Sequence, residues 1–402
     1  MRLIYALFIL ALMVCSGCAP SHVAGRDYTR ASEINARKGR AHTLIEGGHY
    51  QEAIDLLTPL REHQVKDSQL YSMLGEALWK VGAYDQAVSN FESSIRLNYS
   101  DSHTHLTFGE MLMEMGKVGR ALTEFELAVS FDEKEPLAHY NYGLALYEFG
   151  RKDEALSQWG MARRLDVRDA RYAEALGIGH GGTDDVKALE YFEEALQLGA
   201  NTPVFHNNFG LLLTRLQEYA RARTHFETAV GADPHDPRYR FNLAVAALKA
   251  KDFRAAIPLL EVLHRDSPDD GTYRIYLARA CYEERRFAET IELLEGWLQT
   301  PGAVGNPTAG GHKSAGAPVA GLNDAYDVLA MSFRGIGQLD KATVYIGKAL
   351  EIQPASPIHL NNYGVILAEN GRIEEAKAQW QKVLRIEPDN AVAKQNLSAF
   401  GK

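Results

Sequence analysis

The chain has 402 residues, with 52 acidic against 43 basic side chains and a net charge of −9. An acidic balance of this size excludes a polyanion-binding surface, which needs a basic stripe. Of three cysteines only Cys281 lies beyond residue 18, so no intramolecular disulfide framework holds the fold and packing must do so.

The chain opens with Arg2, an apolar stretch from Leu3 to Val14 that is short for crossing a bilayer, and then Cys15-Ser16-Gly17-Cys18. This order of charge, apolar run and small residues is that of an export signal. Ser16 and Gly17 before Cys18 resemble the lipobox of bacterial lipoproteins, with Cys15 standing where that motif usually has leucine. The resemblance implies a signal peptide over 1–17 and lipidation at Cys18. It also implies an envelope location, the outer membrane facing the periplasm, because Ala19 is not the aspartate of inner-membrane retention. An ordinary cleaved signal or an uncleaved anchor is the alternative. Residues 18–33 then form the lipidated N-terminus and a polar tether.

From residue 34 the sequence becomes periodic. Gly75, Gly109, Gly143, Gly177, Gly210, Ala244, Ala278, Ala330 and Gly364 recur at a spacing of 34, once 33, and once 52 across an insertion. Numbering each repeat from seven residues before these positions puts alanine at position 20 (Ala53, Ala87, Ala121, Ala155, Ala222, Ala256, Ala342, Ala376, with Ala188 one residue early and Thr290 the exception). Position 24 holds Leu57, Phe91, Phe125, Trp159, Phe192, Phe226, Leu260, Leu294, Ile346 and Trp380, the expected knobs of a core. Pro234, Pro268, Pro354 and Pro388 stand at position 32, where a second helix must stop.

Segments such as His139-Tyr-Asn-Tyr-Gly-Leu-Ala-Leu and Leu360-Asn-Asn-Tyr-Gly-Val-Ile-Leu resemble the first helix of the tetratricopeptide repeat. The expected fold is therefore all-α: a right-handed superhelical solenoid of about ten helical hairpins with a C-terminal cap helix. Repeats 1–8 fall in 34–300, repeats 9 and 10 in 323–390 and the cap helix in 391–402. Arg37 and Arg40 occupy core slots of repeat 1, which suits a terminal repeat with one wet face.

Two stretches break the period. In repeat 5, Gly177-Ile-Gly-His-Gly-Gly-Thr-Asp-Asp is too glycine-rich to remain helical, so its first helix should be short. The same residues spell G-x-G-x-x-G, but that fingerprint needs a preceding strand, and Asp184 and Asp185 would repel a pyrophosphate. Residues 301–322, rich in glycine, proline and alanine, read as a flexible loop, or alternatively as a hinge between two arrays.

Catalytic motifs are absent: the sequence holds no H-E-x-x-H, paired C-x-x-C, G-x-S-x-G or P-loop. The fourteen histidines show no ligand pattern, and His103 and His105, two apart on a helix, are about 200° apart around its axis. No enzyme activity, metal, cofactor, nucleic acid or small-molecule substrate is expected. An enzyme site in the 177–185 loop is the alternative from another class.

The family resemblance implies a concave groove lined by first-helix positions 2, 5, 6, 9, 12 and 13. Those positions supply Trp79, Leu106, Met113, Tyr140, Leu144, Tyr147, Leu211, Phe241, Val245, Leu248, Ile275 and Tyr282, interleaved with Asn141, Asn207, Asn208, Asn242, Asn361 and Asn362. Such a surface suits a protein or extended peptide partner, with amides for its backbone. A chaperone-type carboxylate clamp fits only at Asn208 and Arg238, since Glu174 and Asn242 replace two of its cations. The expected function is a non-enzymatic scaffold, joined to a membrane by lipid at Cys18. Lipoproteins of this layout resemble assembly factors of pilus and secretion machines, with adaptors for periplasmic proteases or peptidoglycan enzymes as the alternative.

Overall fold

The computed structural model describes residues 21–63, 65–299 and 321–400, with side chains from residue 31. The expected signal peptide, Cys18 and nearly all of the 301–322 loop lie outside the described residues. Among the described residues there are 21 helices and no strand, in two compact bodies whose boundary in the chain falls between Gly179 and His180, inside repeat 5.

The N-terminal body holds α1 (Ser21–Glu46), α2 (Tyr50–Glu62), α3 (Ser68–Lys80), α4 (Tyr84–Leu97), α5 (Ser102–Glu114), α6 (Val118–Phe131), α7 (Pro136–Glu148), α8 (Lys152–Leu165) and α9 (Ala170–His180). The C-terminal body holds α10 (Asp185–Gln197), α11 (Pro203–Arg215), α12 (Tyr219–Ala232), α13 (Pro237–Lys249), α14 (Phe253–Asp266), α15 (Gly271–Glu283) and α16 (Phe287–Gln299). It continues with α17 (Leu322–Gly335), α18 (Leu339–Ile352), α19 (Pro357–Glu369), α20 (Ile373–Ile386) and α21 (Ala391–Phe400). Odd-numbered helices up to α19 are first helices of repeats 1 to 10, and even-numbered ones are their partners.

Local chemistry explains these boundaries. First helices open at repeat position 1, often with proline, whose missing N–H costs nothing in the first turn. The preceding residue caps: the Thr202 hydroxyl accepts from the Phe205 amide at 3.0 Å, and the Asp270 carboxylate accepts from Thr272 at 2.8 Å. Second helices end two residues before Pro234, Pro268, Pro354 and Pro388. Repeat 5 turns through the left-handed Gly182 at position 13, and the other nine of the ten hairpins turn through a left-handed residue at position 15. That residue is glycine at Gly48, Gly82, Gly116, Gly150, Gly337 and Gly371, but Gln217, Lys251 and Arg285 occupy it with φ of 60–62° in repeats 6 to 8.

All ten position-20 residues are fully buried, and the position-24 knobs are at most 2 % exposed. The one outlier, Thr290, satisfies its hydroxyl on the Arg286 carbonyl at 3.1 Å. Positions 8 and 24 are matched in size. Where position 8 is glycine, position 24 is aromatic; where it is alanine (Ala41, Ala244, Ala278, Ala330), position 24 is Leu57, Leu260, Leu294 or Ile346. The structure supplies the reason: a Cβ on Gly109 would lie 2.6 Å from the Phe125 ring, and one on Gly210 would lie 2.7 Å from Phe226. Gly143 and Gly364 likewise receive the indole edges of Trp159 and Trp380, whose N–H groups donate to the carbonyls of Tyr140 and Asn361.

Two expectations change in detail. Residues 21–33, placed in the tether, belong to the helical span of α1. In repeat 5 the first helix is short, 11 residues, yet it continues through Gly177 and Gly179 to His180. Gly179 is required by packing, because a Cβ there would stand 2.6 Å from Leu156 Cδ2 and 2.9 Å from the Trp159 ring. The two aspartates beyond it are structural: Asp184 caps α10 on the Lys187 amide, and Asp185 takes the Arg215 guanidinium at 2.9 Å. In the cap helix α21 it is Ala393 that is fully buried, while Val392 is exposed. Leu397 packs on the core and Phe400 stacks on Trp380 at 5.6 Å between centroids.

The core of the C-terminal body is continuous from Phe241 to Ile366, so repeats 9 and 10 stack on repeat 8. Lys341 and Glu295, 3.1 Å apart, tie α18 to α16. No helix among the described residues is long and apolar enough to cross a membrane.

Candidate functional site

Stacking hairpins buries the side of each first helix that carries positions 4, 7, 8 and 11 and leaves the opposite side facing outward. In the N-terminal body a cleft of about 900 Å3 is lined by Asn35, Lys38, Gly39, His42, Ile45 and Glu46 of α1. These are positions 2, 5, 6, 9, 12 and 13 of repeat 1. Gln69, Ser72, Met73 and Glu76 of α3 and His103 of α5 complete it from positions of the same set. Lys38 is held at its edge by Asp67 at 2.6 Å and Gln69 at 3.1 Å.

In the C-terminal body, two adjoining clefts follow the same positions. One, of about 380 Å3, lies over repeats 7 and 8 between Val245, Leu248, Lys249 and Tyr276. The other, of about 550 Å3, lies over repeats 8 to 10 and includes Tyr282, Asp327, Met331, His359 and Asn362. Arg279 and Glu283 border both.

The residues expected to form the groove divide by burial. Leu144 and Tyr147 are exposed, at 36 % and 40 %, and Tyr140, Met113, Leu211, Leu248 and Tyr282 are partly so. Phe241 and Ile275 are corrected to core residues at 5 % and 3 % exposure, as are Trp79 and Leu106 at 6 %, whereas Val245, 7 % exposed, still lines the smaller cleft. The cause for Phe241 is Tyr276, which stands at position 6 of repeat 8, where repeats 4, 6, 7 and 10 have asparagine. Its ring meets Phe241 edge-on at 5.1 Å, and Tyr273 covers another side at 5.3 Å.

The asparagines also need correction, because most are occupied by the protein itself. Asn141 donates to Glu110 at 2.7 Å, Asn242 to Asn207 at 2.7 Å, Asn362 to Asp327 at 2.8 Å and Asn361 to Asn390 at 3.3 Å. Asn141, Asn242 and Asn361 are buried, whereas Asn207, Asn208 and Asn362 are partly exposed. Position 6 therefore laces successive first helices together rather than offering a row of free amides. Arg238 is exposed but its guanidinium grips Asp236 at the start of its own helix, which leaves Asn208 as the sole clamp-like residue without that restraint.

Burial shapes the electrostatics of this face. Desolvation raises the Glu110 carboxyl above the usual range, against the pull of Asn141 and Lys80, and also raises Glu174. The Tyr140 phenol is raised by burial and by the nearby Glu174 charge, so it stays neutral and can donate. Cys281 is buried, with its thiol pushed up to about 11, and is unsuited to nucleophilic chemistry.

One pattern that sequence reasoning missed concerns histidine. His105, His139 and His206 all occupy position 4, and each meets position 23 of its own hairpin: Glu124 at 2.7 Å, Gln158 at 2.7 Å and His225 at 2.9 Å. The other ring nitrogen of His105 and of His139 reaches the carbonyl six residues back, as the Arg240 and Arg274 side chains do. Position 4 is thus a polar brace for the loop between repeats. The signal was present in the spacing of 34 between His105 and His139.

Comparison with known proteins gives two family models, both described as tetratricopeptide repeat. One matches residues 39–101, 106–166, 207–263 and 241–304, and the other 324–356 and 360–390. No curated protein matches the chain. Among solved structures, pilF of Pseudomonas aeruginosa is similar at 24% identity and a TM-score of 0.45, over 50% of this chain and 92% of its own. Yeast Tom70 is similar at 14% identity and 0.39, over 92% and 96%. MamA of Desulfovibrio magneticus is similar at 23% and 0.38, over 41% and 94%.

Proposed function

We propose, since this chain belongs to the tetratricopeptide repeat family, that it is a non-enzymatic scaffold that holds a partner protein along the outward faces of its first helices. The observation that carries this reading is positional. The clefts of both bodies are lined chiefly by one set of repeat positions, and that set leaves apolar side chains such as Leu144, Tyr147 and Tyr282 at least partly accessible. Rigid tyrosines on a recessed face are suited to anchoring a partner.

Attachment is the finer part of the reading. The Arg2, apolar run and Ser16-Gly17-Cys18 sequence supports lipidation at Cys18 and tethering to an envelope membrane, where the scaffold would assist assembly of a machine such as a pilus or secretion system. In layout the chain resembles the tight-adherence pilus lipoprotein TadD.

Both parts are testable in one preparation. Replacing Tyr140, Leu144, Tyr147 and Tyr282 by serine abolishes capture of envelope partners while circular dichroism retains the helical signal; unchanged capture by the folded variant would refute the groove reading. Cys18→Ala abolishes palmitate labelling and leaves an uncleaved precursor; persistent labelling would refute the lipoprotein reading.

A further inference from the structure

The cleft over repeats 8 to 10 carries an excess of carboxylates: Glu283, Asp324, Asp327 and Glu387 line it. Several other carboxylates of this body are met by guanidinium groups, as in Arg334–Glu369 and Arg372–Glu375, or by lysines, as in Lys377–Glu374. In this cleft Glu283, Asp324 and Glu387 have no cationic partner among the described residues, and among these the only guanidinium on its wall is that of Arg279. Asp324 accepts the Gly321 amide and Glu387 accepts from Asn390, contacts that leave both charges in place.

A second feature, independent of that charge, lies in the wall. The His359 side chain is 4 % exposed and lines the cleft, yet its Nδ1 has no hydrogen-bond partner. It sits 3.3 Å from Asp327 Oδ1 without the alignment of a hydrogen bond, while Nε2 receives the Asn323 amide. Asp327 is held in position by Asn362. Between these carboxylates the cleft is apolar, with Tyr282, Met331 and the exposed Ile358. The adjoining cleft over repeats 7 and 8 has the opposite sign, with Lys249, Lys251 and Arg279 against Glu283.

We infer that the cleft over repeats 8 to 10 takes an extended peptide segment in which lysine or arginine side chains flank an apolar residue. The apolar side chain lies over Tyr282 and Met331, and the cationic ones meet Asp327, Glu283 and Glu387. Lys249 and Lys251 repel the same segment from repeat 7 and so confine it to the acidic end. The inference rests on the scaffold reading and adds the chemistry of the partner.

The test uses the full chain and two fluorescent peptides, acetyl-Lys-Lys-Leu-Ala-Leu-Lys-Lys-amide and the same sequence with glutamate for lysine, followed by anisotropy at low and at physiological salt. The basic peptide binds, the acidic one does not, and binding weakens with salt. In Glu283→Gln/Asp327→Asn/Glu387→Gln, loss of three partly exposed ion pairs weakens the basic peptide roughly tenfold. The triple change Glu52→Gln/Asp55→Asn/Glu62→Gln on exposed α2 positions alters net charge equally and leaves affinity within about twofold. Should Asp327→Asn perturb folding, the Glu283→Gln/Glu387→Gln pair alone gives the same ordering. Equal weakening by both triples, no weakening by either, or preference for the acidic peptide overturns the inference. Preference for the acidic peptide leaves the scaffold reading standing, because a groove would still bind a segment; failure of both peptides with partner capture unaffected by the serine substitutions removes both.

Discussion

Substituting Gly109 by alanine tests the packing rule that generates the whole stack. The added Cβ would stand 2.6 Å from Phe125 Cε1 and 2.7 Å from Cδ1, about 1 Å inside an ordinary carbon contact. Phe125 is 1 % exposed, so its ring has no open space to enter and α5 must separate from α6. Overpacking of this kind costs about 1–3 kcal/mol, from which the better helix propensity of alanine recovers up to about 1 kcal/mol. Phe125→Leu alone leaves a void beside Gly109 and costs roughly 1–2 kcal/mol. The double variant recreates the Ala–Leu pair that repeats 7 and 8 use natively, so it should be more stable than the sum of the singles by at least about 1 kcal/mol. Because repeat arrays do not always unfold in one step, native-state hydrogen exchange of α5 and α6 amides is the appropriate readout. Additivity within about 0.3 kcal/mol would refute the account of why position 8 and position 24 co-vary.

Two further predictions come from the turns and the braces. Gln217→Gly, Lys251→Gly and Arg285→Gly each relieve a left-handed conformation that glycine adopts in six of the other turns, and each should raise stability by up to about 1 kcal/mol in thermal melts; no gain in any of the three would contradict it. Burial lowers both members of the His206–His225 pair, His225 to about 4. The unfolded chain therefore binds more protons between pH 6.5 and about 4, and stability falls as pH drops through that window. With a discount for partial exposure the loss is about 1–3 kcal/mol. His225→Gln, which copies the Gln158 brace of repeat 4, should flatten the acid limb of stability against pH. His105 has the opposite sign: burial lowers it, but Glu124 and the Tyr99 carbonyl outweigh that and raise it. Its contribution is complete below pH 6.5 and is lost as pH rises through the raised value.

Much of the fold could be read from the chain, because the core is written locally and repeatedly. Position 8 on the first helix and position 24 on the second face each other within one hairpin, with position 20 one turn before position 24, so their burial depends on residues about a helical turn or a short loop away. The glycine–aromatic pairing was likewise present, visible once the two positions are compared repeat by repeat. The groove was less legible because exposure there depends on the neighbouring repeat. Phe241 has the spacing of a groove residue, and Tyr273 and Tyr276 of the next repeat close it off. Asn141 looks like a ligand for a peptide backbone until Glu110, thirty-one positions earlier, takes its amide. The cleft of repeat 1 went unnoticed for the complementary reason: its lining is polar, and a search for apolar surface passes over Lys38, His42 and Glu46.

The central claim, that partners lie along the first helices, is tested most directly by photocrosslinking in intact cells. A benzophenone side chain placed at Leu144 lies on the exposed face of first helix α7 and one at Tyr282 lines the cleft over repeats 8 to 10, whereas one at Val344, 57 % exposed, lies on the second helix α18. The account predicts a discrete crosslinked partner from Leu144 or Tyr282 and none from Val344. Crosslinks from Val344 with silence at both first-helix positions would contradict it.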